Sequence, residues 1–291
     1  MELDTIVIQL LTGLSRAAIL FIVASGLSLV FGALRVVNIA HGSFFMLGAF
    51  LTVTVTSWIG GLAGFAVAML AVPLVVAAGS TVVEFSLRRL YGREHLLQLL
   101  ATFAWLLVIA DLVHWLWGTQ LRFVAQPTLI AGPVSIMGRA FPKYSLFLIG
   151  VALVLATVLF VLMRRTGLGR DIRAAVSDPE MLGMVGVNVP GLFTRVFALG
   201  AGLAALGGVL AAPNTSVGLG MDISIIIEAF AVVIIGGLGS LVGTAIGALV
   251  VGIVFAFGIL WVPDAALVIV FAVMVGVLLW RPSGLLGVVE R

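Results

Sequence analysis

In a lipid-soluble sequence an ionisable or strongly polar side chain is costly, so the few such residues are the first candidates for function. Asn38, His41 and Ser43 fall in the run RVVNIAHGSFFMLGAF, a polar interruption that also holds Gly42, with Gly48 and Ala49 a turn or two further on. Ser43 near a helix start would serve as a cap. That accounts for one member of the cluster and leaves the amide, the imidazole and the glycine unexplained. Asp111 and His114 lie three apart on one helix face and could relay a proton; the other reading is an interfacial pair that binds water. Asp222 and Glu228 stand near the outer mouth of a short apolar segment. They read as solvated carboxylates at a vestibule on the side of a binding protein, or as contacts for a partner's arginine, in preference to an ion-coupling site.

Several chemistries are excluded. There is no HExxH, no GxSxG and no carboxylate and histidine spacing suited to a metal. The absence of cysteine removes disulfides, thiol catalysis and thiolate metal sites. Lys143 is the sole lysine and sits between Pro142 and Tyr144, whereas a P-loop requires Gly-Lys followed by Ser or Thr. The chain therefore is not read as an enzyme and binds no cofactor of its own. Any ATP and magnesium chemistry must come from a partner.

The elements that position these residues are membrane helices. Soluble domains carry about 25% charged residues; this chain of 291 residues carries 9%, with a mean hydropathy of +1.32. Apolar segments of about 20 residues recur, each long enough to cross a hydrocarbon core of ~30 Å, and the alternating strands of an outer-membrane barrel are absent. The formal charge of +3 is too small a surplus to suggest a nucleic-acid partner. The fold class is thus all-α, a polytopic bundle of eight or nine spans forming one transmembrane domain over 1–291.

A short interfacial helix is expected over about 3–13. Spans follow at about 14–33, 42–60, 63–86, 96–117, 144–163, 192–212, 225–238, 240–261 and 263–280, the seventh being short. Arg16 then lies near the end of the first span, where it snorkels to the headgroups; the alternative is a buried functional arginine. Arg35, Arg88, Arg89, Arg93, the arginines from Arg164 to Arg195, Arg281 and Arg291 fall on one side if the helices alternate. Few basic residues fall on the other, so the positive-inside rule puts the N-terminus outside and the C-terminus in the cytoplasm. Glu2 and Asp4 precede the first apolar run, and no basic leader is seen there. The outer connection from Gly118 to Lys143, rich in proline and glycine, reads as an irregular lobe. Trp115 and Trp117 beside it suit an interfacial belt.

Two glycine patterns bear on packing. Gly239, Gly243 and Gly247 recur every fourth residue, as do Gly200, Ala204, Gly208 and Ala212. Each set forms a strip that lets backbones approach closely, against the chain's own bundle or a partner subunit. The most polar stretch, 164–195, holds five of the fifteen basic residues and must lie in water. It reads as a cytoplasmic loop and a docking surface. Arg170 and Arg173 within it serve docking or simple retention on the inner side.

RVVNIAHGSFFMLGAF resembles the opening motif of the H-type membrane subunit of branched-chain amino acid ABC importers, carried here by Asn38, Ala40, His41, Gly42, Gly48 and Ala49. TGLGRDIRAAVSDPEMLGMVGVNV is similar to that family's cytoplasmic segment at Gly169, Arg170, Arg173, Ala174, Asp178 and Gly186. IIGGLGSLVGTAIGALVVG is similar to its late glycine-rich segment. The resemblance implies a permease in a bacterial inner membrane, paired with an M-type permease subunit, two cytoplasmic ATPase subunits and a periplasmic solute-binding protein. It also implies a coupling helix over about Asp171 to Met184, with Asp178 able to cap it ahead of Pro179. Branched-chain amino acids would pass along a mostly apolar path with sparse hydroxyls, for which Ser25, Ser28, Thr52 and Thr54 are candidates. A permease for urea, short amides or an aromatic acid is the nearest alternative, and an ion-coupled transporter the more distant one.

Overall fold

The computed structural model describes residues 3–287. Glu2 and Arg291, both used above to orient the chain, lie outside the described residues. The order is α1 (Leu3–Leu34), α2 (His41–Ile59), α3 (Gly61–Leu87, extended by a 3-10 turn Arg88–Leu90), α4 (His95–Trp117), a hairpin of β1 (Pro133–Ile136) and β2 (Arg139–Pro142), then α5 (Lys143–Arg165). Two short helices follow, α6 (Gly167–Ser177) and α7 (Pro179–Met184). The remainder is α8 (Val189–Ala211), α9 (Met221–Gly236), α10 (Leu241–Trp261) and α11 (Ala266–Trp280).

Eight of the described helices are long and apolar enough to cross a membrane. α9 has 16 residues, about 24 Å at 1.5 Å per residue, short of a ~30 Å core. The expected separate interfacial helix does not exist, because α1 runs unbroken for 32 residues. No proline interrupts it, and Gly13 lies in the helix with its bare face against α10, where a Cβ would come within 2.9 Å of the Ile253 Cα.

α1 is the axis of the bundle. Of its most apolar stretch 83% is buried, against 11% for α5 and 11% for the last span, so those two form the rim. α8 flanks α1 at Gly200 and α10 flanks it at Gly252, while Gly208 faces α2, and Gly243 and Gly247 face α9. Gly200 meets Gly26, and Gly208 packs on α2 at Phe45. Gly239 lies against Gly32, where a Cβ would come within 3.1 Å of the Gly32 Cα, while Gly243 and Gly247 receive the carbonyls of Gly236 and Val232. Both strips face the chain's own helices. With no hydrophobic drive between helices in lipid, such close van der Waals contact holds the bundle.

The outer connection is more ordered than its composition suggests. β1 and β2 pair antiparallel from Pro133↔Pro142 to Ile136↔Arg139, closed by Met137 and Gly138 at positive φ (51° and 82°). A two-residue turn with both residues in that region matches strand twist; Gly138 takes it without steric cost, and Met137 takes it against its preference. Arg139 pairs with Asp4, which ties the hairpin to the start of α1. At the other end Leu285 and Leu286 donate to the last carbonyls of α9, those of Ile235 and Gly236, both at 2.9 Å.

Candidate functional site: a helix start inside the bundle and a two-helix cytoplasmic segment

Asn38, His41, Gly42 and Ser43 do not sit at the membrane surface. Arg35 takes a positive φ of 53°, which ends α1 and turns the chain back. The segment 36–40 then climbs beside α1, and His41 opens α2 level with the middle of that helix, its Nε2 donating to the Val23 carbonyl at 2.9 Å. Val23 lies 11 residues before Leu34, about 16 Å along the helix. The carbonyl can only accept, so Nε2 carries the hydrogen, and Nδ1 faces the interior. Asn38, His41 and Ser43 are at most 1% exposed. Both polar atoms of the Asn38 amide, His41 Nδ1 and Ser43 Oγ find no hydrogen-bond partner among the described residues. Buried polar groups are almost always paired, and these atoms, at the start of a helix within the bundle, are not. Gly42 is required there, since a Cβ would run into the Asp222 carbonyl of α9.

The carboxylates differ from expectation. Arg16 does not snorkel: its Nη2 donates to both oxygens of Glu228 at 2.8 Å, and its guanidinium lies 3.5 Å from the centre of the Phe255 ring. Side-chain exposure is 33% for Arg16 and 15% for Glu228. Asp222 is 2% exposed. Neither acid is a solvated vestibule group, and the arginine that Glu228 meets belongs to this chain. The cause is the length of α1, which carries Arg16 well inside the bundle beside the short α9. Asp111 and His114 both lie on the exposed face of α4.

Of the four candidate hydroxyls, Ser25 and Thr52 donate to the Ile22 and Gly48 carbonyls at 2.8 and 2.7 Å, and Thr54 to that of Phe50 at 3.2 Å. Thr54 also accepts from Trp117 Nε1 at 2.8 Å. Ser28 is the exception, buried with its hydroxyl unpartnered among the described residues. It lines a cavity of about 840 Å³ with Gly32 of α1, Leu159 of α5, Arg173 of α6, and Ser240 and Ala245 of the α10 region.

The polar stretch 164–195 folds into three capped steps. Thr166 accepts from Gly169 N at 3.2 Å, Asp178 from Glu180 N and Met181 N at 3.0 and 2.9 Å, and Asn188 from Gly191 N at 3.0 Å. The expected single helix over Asp171 to Met184 is therefore two. Pro179 bars its predecessor from the helical region, so Asp178 is extended (φ −157°) and ends α6 while capping α7. Gly169 lets α6 fold against the end of α5, since a Cβ would strike the carbonyls of Leu162 and Met163. Gly186, at φ 88°, turns the chain out of α7. Arg170 is exposed, whereas Arg173 is partly used within the chain, donating to the Met163 carbonyl. Three apolar residues escape notice in the sequence: Met181 and Met184 on α7 and Val185 just after it are 59%, 78% and 71% exposed. The sequence does not set them apart, since the same stretch holds Ile172, Val176, Leu182 and Phe193 as well. Among the described residues no group of His, Asp and Glu could hold a metal.

With that geometry in place, likeness to known proteins becomes decisive. The family model described as "branched-chain amino acid transport system / permease component" matches residues 9–278. The chain belongs to that permease family. Among curated relatives, the high-affinity branched-chain amino acid transport system permease protein BraD of Pseudomonas aeruginosa is 30% identical over 259 residues, 81% of this chain and 80% of the relative. LivH proteins described in the same words from Salmonella typhimurium and Escherichia coli K12 are each 26% identical over 257 residues, again covering 81% of this chain and 80% of theirs. No solved structure matches the chain. The family is one of transport permeases, in accord with the apolar helices.

Proposed function

We propose that this chain, as a single transmembrane domain, is the H-type subunit of an ATP-driven importer that carries branched-chain amino acids from periplasm to cytoplasm across a bacterial inner membrane. Its partners in this reading are an M-type permease, two ATPase subunits and a solute-binding protein. The observation that carries it is the family match over residues 9–278 together with the capped α6–α7 segment, whose exposed Met181, Met184 and Val185 lie outside the apolar spans. Apolar side chains exposed to water rather than lipid suit a protein partner. Transport follows from a difference in how two states bind the solute. The cavity beside α6 supplies apolar volume with the Ser28 and Ser240 hydroxyls, matching a solute with an aliphatic side chain. The unsatisfied amide, imidazole and hydroxyl at the start of α2 lie outside that cavity and are assigned to the pathway rather than to the same bound solute.

The reading is tested by reconstitution. The chain alone in liposomes is expected to hydrolyse no ATP above background, because Lys143 cannot serve a P-loop. With the partner subunits added, leucine uptake should require ATP. Uptake driven by a proton gradient without ATP would refute the proposal.

The orientation, N-terminus outside, is tested on the cysteine-free background. A cysteine at position 129, in the outer lobe and 71% exposed as leucine, should react with an impermeant maleimide in intact cells. A cysteine at position 184 should react only after the inner face is opened. The reverse pattern would invert the topology.

A further inference from the structure

The end of α3 carries a buried ion-pair hub that faces α8. Glu84 has a fully buried side chain. Arg88 Nε donates to both of its oxygens at 2.9 and 3.1 Å, and the Tyr91 hydroxyl to Oε1 at 3.2 Å. The fourth contact comes from another helix: Thr194 Oγ1 donates to Oε2 at 3.1 Å. Arg88 Nη2 in turn donates to the Thr194 hydroxyl. A guanidinium can only donate and a carboxylate only accept, so the hydroxyl bridges them when its single hydrogen points to Oε2 rather than to the Pro190 carbonyl, 3.0 Å away in its own helix. Burial, and next the Glu84 charge, push the Tyr91 hydroxyl above its ordinary range, which keeps it protonated as a donor. Its ring meets Phe193 edge-on at 5.8 Å.

The position of this hub matters. Thr194 is the sixth residue of α8, and α8 follows α7 through a turn closed by bonds from Val185 N, Gly186 N and Val187 N to the carbonyls of Met181, Gly183 and Leu182. Such a turn transmits displacement with little slack. Further along the same pair of helices, Gly202 sits over Pro73, where a Cβ would be 3.3 Å from the Pro73 oxygen. α3 is thus held to α8 at two points, one charged and one steric. Hydrogen bonds to a buried charge are the strong ones and the costly ones to break.

We propose that Glu84 is a positioning residue which, through Thr194 and Arg88, makes α3 follow the α7–α8 segment, so that movement of that segment is converted into movement of a spanning helix. The inference rests on the reading of α7 as the ATPase contact. It assigns a role to a carboxylate that is distant in sequence from every motif named above.

The test uses the whole assembly in proteoliposomes, with ATP hydrolysis and leucine uptake measured on one preparation and bound ATPase quantified in it. Thr194→Val keeps the shape of the side chain and leaves Glu84 its Arg88 and Tyr91 donors, so the buried charge stays paired. Solute-stimulated hydrolysis should remain close to wild type while uptake per ATP falls about tenfold, the loss expected of one hydrogen bond to a charged group. Thr194→Ser should restore the ratio, and Glu84→Gln should lower it. An unchanged ratio in Thr194→Val, or hydrolysis and uptake falling in parallel, would overturn the proposal. The ratio is read on assemblies of measured composition, so failure of the α7 contact itself shows separately as lost ATPase.

Discussion

A Met181→Glu, Met184→Glu double variant is expected to insert and fold normally and to lose its ATPase. Both side chains are exposed, at 59% and 78%, so the isolated chain loses no packing. Exposed substitutions of this kind change stability by about 0.5 kcal/mol or less. In the assembly the account is different. Burying a methionine side chain is worth about 1.5–3 kcal/mol, and placing carboxylates in the same contact adds a desolvation cost. Two such changes should weaken association by at least about a hundredfold, since each 1.4 kcal/mol is tenfold. The measurement is recovery of tagged ATPase with membrane extracts, alongside the permease level. Arg170→Glu alone should weaken recovery less, as a solvated rim charge would. Arg173→Glu is a poorer probe, because its bond to the Met163 carbonyl ties α6 to α5 and its loss also disturbs the segment. Full recovery of ATPase by the methionine double variant would remove α7 from the interface.

The helices were readable because lipid imposes a single length and composition on any spanning segment. The glycine strips were readable as strips, and their partners were not: spacing shows which face is bare, while only the fold shows that Gly239 meets Gly32 and Gly247 meets Val232. Local stereochemistry was legible at Asp178 and Pro179, where a cap and a ring act within three residues. The same pair should have announced the break between α6 and α7. What escaped were features made by long-range return of the chain. His41 looks like the first residue past a loop, yet a positive φ at Arg35 sends it back to Val23. Glu84 and Arg88 are an i,i+4 pair visible in sequence, and the third member, Thr194, is 110 residues away from Glu84. Arg16 and Glu228 are separated by 212 residues, with no periodicity to link them.

That last pair gives the second large effect. Arg16→Met should leave Glu228 as an unpaired carboxylate only 15% exposed, in the middle of a helix that is already too short to span with ease. Breaking one side of a buried pair costs about 3–5 kcal/mol; the lower end applies, because the Arg16 side chain keeps 33% exposure. The loss also removes the guanidinium from the Phe255 ring, so α1, α9 and α10 are loosened together. Purified protein in detergent should unfold at a clearly lower temperature by circular dichroism, and membrane yield should drop. Replacing both partners, Arg16→Met with Glu228→Leu, removes the desolvation problem along with the attraction, and such replacements are often neutral or stabilising. The double variant should therefore recover both yield and thermal stability. If it proves as unstable as the single variant, the unpaired charge is not the cause, and the helix contacts of Arg16 through its methylenes must carry the effect instead. Uptake by the recovered double variant then separates two roles that the geometry alone joins. Normal uptake makes the pair a fastener for α9, and transport lost in a stable double variant makes it a working part of the switch between states. We expect the former, since the pair lies among helices locked by Gly236, Gly243 and Gly247, where there is little room for one helix to slide on another.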